Sequence, residues 1–225
     1  MIETLFILFS VSTAALLAWR IGRHAGGRAV AVFIVGTLAW LGYAAVLAGT
    51  GVLVSPNPPP RLLLLLLPLI TFAIWAGRSR AALTLALRFP LRELIGLQGF
   101  RLIVELFLHR LMVEDRVPKA MTFEGHNFDI VTGASALVLY AAWNHLPNPA
   151  RISKAWNYLG LTLLAVVAIT GILSAPGPQQ SFNLDHPNLA VTQFPYVFIP
   201  ALFVAAALCL HILALRRLSA ASPAP

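Results

Sequence analysis

Arg101, Glu105 and His109 recur at i, i+4 and i+8 in a run that is otherwise almost wholly apolar. On a helix these three stack along one face, with Gln98 close to the same stripe. A little further on, "MTFEGHNFDI" at 121–130 packs two carboxylates, a histidine and an asparagine into ten positions. Histidine and carboxylate three or four residues apart are ordinary ligand spacings for zinc or iron, met here by Glu105 with His109 and by His126 with Asp129. The ligand set this suggests is His109, His126, Asp129 and His186, the last from "DHPN" at 185–188. Glu105 or Glu124 would then act as a catalytic general base towards a metal-bound water. Gln98, Arg101, Asn127 and Asp185 complete the expected pocket. The same residues also have a purely structural reading, with His126 and His186 as solvated loop histidines, Asp129 as a cap on free helix N–H groups, and Arg101 with Glu105 as a buried tie. Within the decapeptide, Gly125 permits a tight turn, and Asn127 or Thr122 can cap a helix start.

The elements that position these residues must lie in a membrane. The 225 residues are 59% apolar and only 11% charged, whereas soluble domains carry about 25% charged residues. Mean hydropathy is +0.81. Apolar runs of about 20 residues, enough to cross a hydrocarbon core, recur along the whole chain. The sequence therefore predicts an all-α, polytopic membrane bundle of about seven transmembrane helices, at roughly 4–20, 29–50, 61–77, 94–113, 127–144, 156–174 and 196–215. Residues 1–218 are expected to form one domain and 219–225 a disordered tail. Glu3 stands where a signal peptide would be positive, so the first run reads as a retained helix. The lone Cys209 excludes an intramolecular disulfide.

The formal charge of +8 does not indicate nucleic acid, because the basic residues punctuate the ends of apolar runs instead of clustering on one solvated face. Anionic membrane lipids are their expected partner. Eleven of the sixteen basic residues fall after odd-numbered spans and four on the opposite side, which predicts an outside N-terminus and a cytoplasmic C-terminus. Between spans three and four, Arg80, Thr84, Arg88 and Arg92 at four-residue spacing read either as an amphipathic surface helix interrupted at Pro90 or as a simple basic loop.

This topology puts the opening residues on the outer side. A charged residue at mid-bilayer costs roughly 2.5 to 3.5 kcal/mol, so the Arg101 stripe is expected to face the bundle interior. A rise of about 1.5 Å per residue places Glu105 on the order of 13 Å deep, His109 about 8 Å and Asp129 about 3 Å. Glu105 is thus expected to pair with Arg101 and not to meet Asp129. His211 and His145 read as interfacial residues near the cytoplasmic ends of their spans.

Rhodopsins need a lysine in the last helix for a Schiff base, and the two lysines here, Lys119 and Lys154, fall in loops. Seven-helix hydrolases of the ceramidase and adiponectin-receptor type combine histidines with a carboxylate, but their paired HxxxH is missing. Over "MTFEGHNFDIVTGASALV" and "FPYVFIPALFVAAALCLHILAL" the chain resembles an uncharacterised group of bacterial multi-spanning membrane proteins. That resemblance implies a bacterial inner membrane and a shared seven-helix fold, and brings no activity, cofactor or catalytic residue with it.

Three functions are compatible with the sequence. The first is an outward-facing polar pocket that binds a small-molecule ligand or a metal ion, such as zinc or iron, or a haem. The second is a proton or solute pathway through the bundle. The third is a structural or accessory subunit, working as a homo-oligomer or with a partner membrane protein through small residues such as Ser10, Ala14 and Ala18.

Overall fold

The computed structural model describes residues 1–55 and 57–221. Helices α1 (Ile2–Ala25), α2 (Gly27–Gly49), α3 (Leu63–Arg78), α4 (Arg80–Arg88), α5 (Leu91–Gly96), α6 (Phe100–Val113), α7 (Asp129–Ala141), α8 (Pro149–Ser174) and α9 (Ala205–Ala221) follow in chain order. No β-strand occurs among the described residues.

Among the described residues four helices are long and apolar enough to cross a membrane: α1, α2, α8, and the continuous stretch Ile199–Ala220 that takes in nearly all of α9. The pair α3 and α4, bent by 73°, makes a fifth if counted as one span. The expectation of seven spans is thereby reduced to four or five on length and apolarity. Expected span four is helical from Leu91 to Val113, because α5 and α6 are joined by the tighter turn Leu97–Gly99 with helical dihedrals throughout. It fails as an apolar span because Arg92, Glu93, Arg101, Glu105 and Arg110 lie within it. Expected span five is the 13-residue α7, about 20 Å long at 1.5 Å per residue and shorter than a hydrocarbon core.

The basic segment after α3 is a helix: Ser79 Oγ accepts the Ala82 N–H at 3.1 Å to start α4, and the chain leaves it before Pro90. At the other terminus, α9 continues to Ala221, so 219–221 are helical and not part of a disordered tail. Residues 222–225 of that tail lie outside the described residues.

The arginines have a structural use that their distribution alone does not reveal. The last four carbonyls of a helix have no partner within it. Arg88 Nη1 donates to Ala25 O at the end of α1 (3.3 Å), and Arg92 Nε to Tyr140 O at the end of α7 (2.8 Å). Arg216 Nη1 donates to Ala76 O in the last turn of α3 (2.8 Å), and Arg217 Nη1 to Leu87 O in the last turn of α4 (2.6 Å). Four helix C-termini at one end of the bundle are thus closed by cations from other elements, where the helix dipole also favours positive charge.

The core forms around α9, which packs against α3, α4, α5 and α8. Just before α9, Ile199–Val204 forms a π-helical turn containing Pro200, and Trp40 Nε1 on α2 donates to its Ala201 carbonyl at 2.7 Å. Phe203 in this turn stacks on Phe9 at 5.0 Å and meets Phe6 edge-on at 5.7 Å. Pro68 supplies no N–H for the Leu64 carbonyl one turn back; Tyr43 Oη donates to it instead, at 3.2 Å.

Helices α6 and α7 touch backbone to backbone. A Cβ on Gly133 would lie 2.4 Å from the Leu102 nitrogen, so no side chain fits there. Gly133→Val is expected to force the two helices apart and cost about 1–3 kcal/mol or more, as overpacking does; thermal unfolding in detergent should show the lowered melting temperature.

Candidate functional site

The polar residues of the sequence gather where α6, α7, α8 and α9 meet. Arg101 on α6, only 2% exposed, donates from Nε to Asp129 Oδ2 at 2.9 Å and from Nη2 to Asp129 Oδ1, a bidentate pair. Its Nη1 lies 3.0 Å from His211 Nε2 on α9. A guanidinium has only donors, so His211 Nε2 accepts. The imidazole is therefore the Nδ1–H tautomer, and that N–H donates to Asn157 Oδ1 on α8 at 2.8 Å.

Asn157 in turn donates to Ser153 O one turn earlier on α8, at 2.8 Å. Gln98 Nε2 donates to Ala207 O at 3.1 Å, one turn before His211. The His211 ring lies against α8 at Gly160: a Cβ there would fall 2.5 Å from its Cε1 and 3.3 Å from Thr132 Cγ2. Glycine is required there for the ring to reach Arg101.

One helical turn from Arg101, Glu105 Oε1 accepts from Asn127 Nδ2. Asn127 also donates to Met121 O at 3.0 Å and accepts the Asp129 N–H at 3.0 Å, which fixes the start of α7. Its two donors and its carbonyl are all used, so the "GHNF" turn is locked to both helices. Glu105 is 1% exposed and its Oε2 has no protein partner. Buried and unpartnered in the same region are Gln98 Oε1, Thr132 Oγ1 and Ser153 Oγ. A cavity of about 20 Å³ adjoins the cluster, with Arg101, Glu105 and Asp129 as its polar wall and Val104, Val167 and Phe203 among its apolar lining.

The expected metal set is not assembled. Among the described residues no three His, Cys, Asp or Glu side chains are grouped to hold an ion. His109 Nε2 instead bonds Glu124 Oε1 at 2.8 Å and its ring stacks on Phe123 at 4.9 Å. His186 Nε2 meets the Asp115 carbonyl at 3.0 Å, His126 is exposed, and Asp129 is committed to Arg101. Asp185 is exposed in the loop between α8 and α9, away from the buried cluster. Glu124 is also exposed, bridging His109 and Lys119, and does not join Glu105. The expected Arg101–Glu105 tie is replaced by Arg101–Asp129, because α7 starts at Asp129 and packs with its backbone against that of α6 at Gly133, one turn further on.

A last span ending at 215 predicts an interfacial His211. The helix runs to Ala221, which puts His211 at mid-span and leaves it fully buried. A lone histidine in a long apolar run was the available signal. Asn157, Thr132 and Ser153 carried a similar one, as polar side chains within or beside apolar runs.

Two outcomes follow from this geometry. Asp129→Ala leaves the Arg101 charge buried and unpaired and is expected to cost about 3–5 kcal/mol, whereas Arg101→Met with Asp129→Leu recovers most of that loss; thermal unfolding of the three proteins decides it. At the exposed end, the hydrogen bond from His109, followed by that from Lys119, holds the Glu124 carboxyl below its ordinary range. A lowered folded-state value contributes stability above the unfolded value and loses it as pH falls through the folded one. The protection of the 119–128 amides, measured as hydrogen exchange relative to the intrinsic rate at each pH, should therefore fall on acidification below the usual carboxylate range, and Glu124→Gln should abolish that dependence.

No curated protein and no solved structure matches the chain. A family model described as a domain of unknown function, DUF8737, matches residues 58–219, a stretch that contains the whole buried cluster, and the chain belongs to that family.

Proposed function

We propose that this protein carries protons through the interior of its bundle. The observation that supports this is the row of titratable and hydrogen-bonding side chains that runs from the exposed loop end into the bundle's interior. It starts at exposed Glu124 with half-buried His109, passes Glu105 with Asn127, then Asp129 with Arg101, and reaches His211, whose Nδ1–H meets Asn157 one turn from Ser153 on α8. Ser153 lies four residues into α8, about 6 Å from its start at 1.5 Å per residue. Ionisable groups in membrane interiors are costly and commonly serve such relays. The cluster has one guanidinium for two carboxyl groups, so a further proton is needed to balance it in a medium of low dielectric.

On this reading the charged stretch Leu91–Val113 and the short α7 complete a seven-helix crossing, shielded from lipid by their neighbours. The charge split then places the loop-side end outside and the arginine-capped end in the cytoplasm of a bacterial inner membrane, facing anionic lipid. An outward metal pocket lacks comparable support, since its expected ligands are spread over separate contacts. A structural role is the second reading, favoured by the full saturation of Asn127.

Reconstitution into vesicles containing a pH-sensitive dye tests the choice. Under a potassium diffusion potential the wild type should acidify the lumen, and Glu105→Gln should reduce the rate at least tenfold at an unchanged melting temperature. A wild-type rate equal to that of empty vesicles would leave only the structural reading.

A further inference from the structure

The row is broken between His109 and Glu105 and again between Glu105 and Asp129. Asn127 holds Glu105 Oε1 but an amide does not pass a proton on, and no direct bond joins Glu105 to Asp129. Glu105 Oε2 is buried with no protein partner, and buried polar groups without a partner are rare enough to need an explanation. The cavity of about 20 Å³ adjoins the same three side chains, and about 10 to 15 Å³ on this measure accommodates one water molecule.

We infer that this cavity is a binding site for a single ordered water that bridges Glu105 and Asp129. The chemistry of the wall matches one water and little else. Protonated at Oε2, Glu105 donates to the water oxygen, and an Asp129 oxygen accepts one of the water's O–H groups; ionised, Glu105 accepts the other. A metal cation would sit against the Arg101 charge, and an anion against two carboxyl groups. The remaining wall is apolar: Val104 and Leu108 from α6, Val167 from α8, and Ile199 and Phe203 from the π-helical turn. That turn places Phe203 under the site, and Phe6, Phe9 and Phe100 back it.

The water makes a proton step possible, and this part rests on the relay reading above. A proton leaves Glu105 Oε2 for the water oxygen while the water gives one of its own to an Asp129 oxygen. No atom or electron is gained or lost. Neutral Asp129 then releases the guanidinium, which keeps its bond to His211.

Val104→Ile fills the cavity without touching a polar group and tests the site. In the full-length protein in deuterated detergent, the Val167 methyls should show cross-relaxation with water, and Val104→Ile should lose that signal at an unchanged melting temperature. Absence of the signal in the wild type, or its persistence in Val104→Ile, overturns the water site. Vesicle proton flux separates the two ideas: a lost water signal with flux reduced at least tenfold supports the bridge as the link. A lost water signal with wild-type flux overturns the bridge as the link and leaves the relay standing. A water signal with no flux in the wild type supports the site and overturns the relay.

Discussion

The fold depends on keeping the Arg101 charge inside an apolar bundle. An unpaired guanidinium there would cost several kcal/mol, and the chain meets the requirement from three directions. Asp129 binds it bidentately from α7 and His211 accepts from α9, while Asn157 on α8 fixes the tautomer that lets His211 accept. Four helices are therefore oriented about one side chain. Gly133 and Gly160 follow from the same constraint, because α7 and the His211 ring must come within reach of α6 and α8 backbones that a Cβ would hold away.

The arginines at the other end answer a different need. A helix end in or near lipid has carbonyls that neither the helix nor bulk water can satisfy. Arg88, Arg92, Arg216 and Arg217 each close such an end on another element, so one side chain both ties two helices together and complements a dipole. The π-helical turn before α9 is managed similarly, with the Trp40 indole meeting its Ala201 carbonyl. In each case an irregular or terminal backbone group is paired through a side chain that sequence order places far away.

Some of the site was readable in advance. The i, i+4 repetition of Arg101 and Glu105 put both on an inward face, as both are buried, and the density of polar groups at 122–129 marked the turn that caps α7. The misreadings share one cause: depth was inferred from span boundaries uncertain by several residues. Ending the last span at 215 moved His211 to an interface, and treating Asp129 as the shallow start of a span separated it from Arg101. Metal-ligand spacing along one helix also says nothing about which partner a side chain finds on another. His109 turned to Glu124 and Phe123, and His186 to Asp115.

By itself the sequence determined the class: long apolar runs and sparse, polarised charge predict an all-helical chain with helices long and apolar enough to span a membrane, and the structure is all-helical over the described residues. It also determined that Gln98, Arg101 and Glu105 would face inward, because a charge facing lipid is too costly, although His109 at the end of the stripe is only half-buried. Only the tertiary structure decided which residues meet. Asp129 pairs with Arg101 while Glu105 keeps an open oxygen, because hydrogen bonds and ion pairs reach only about 3 Å, and distances that short are set by how four helices cross and not by spacing along any one of them.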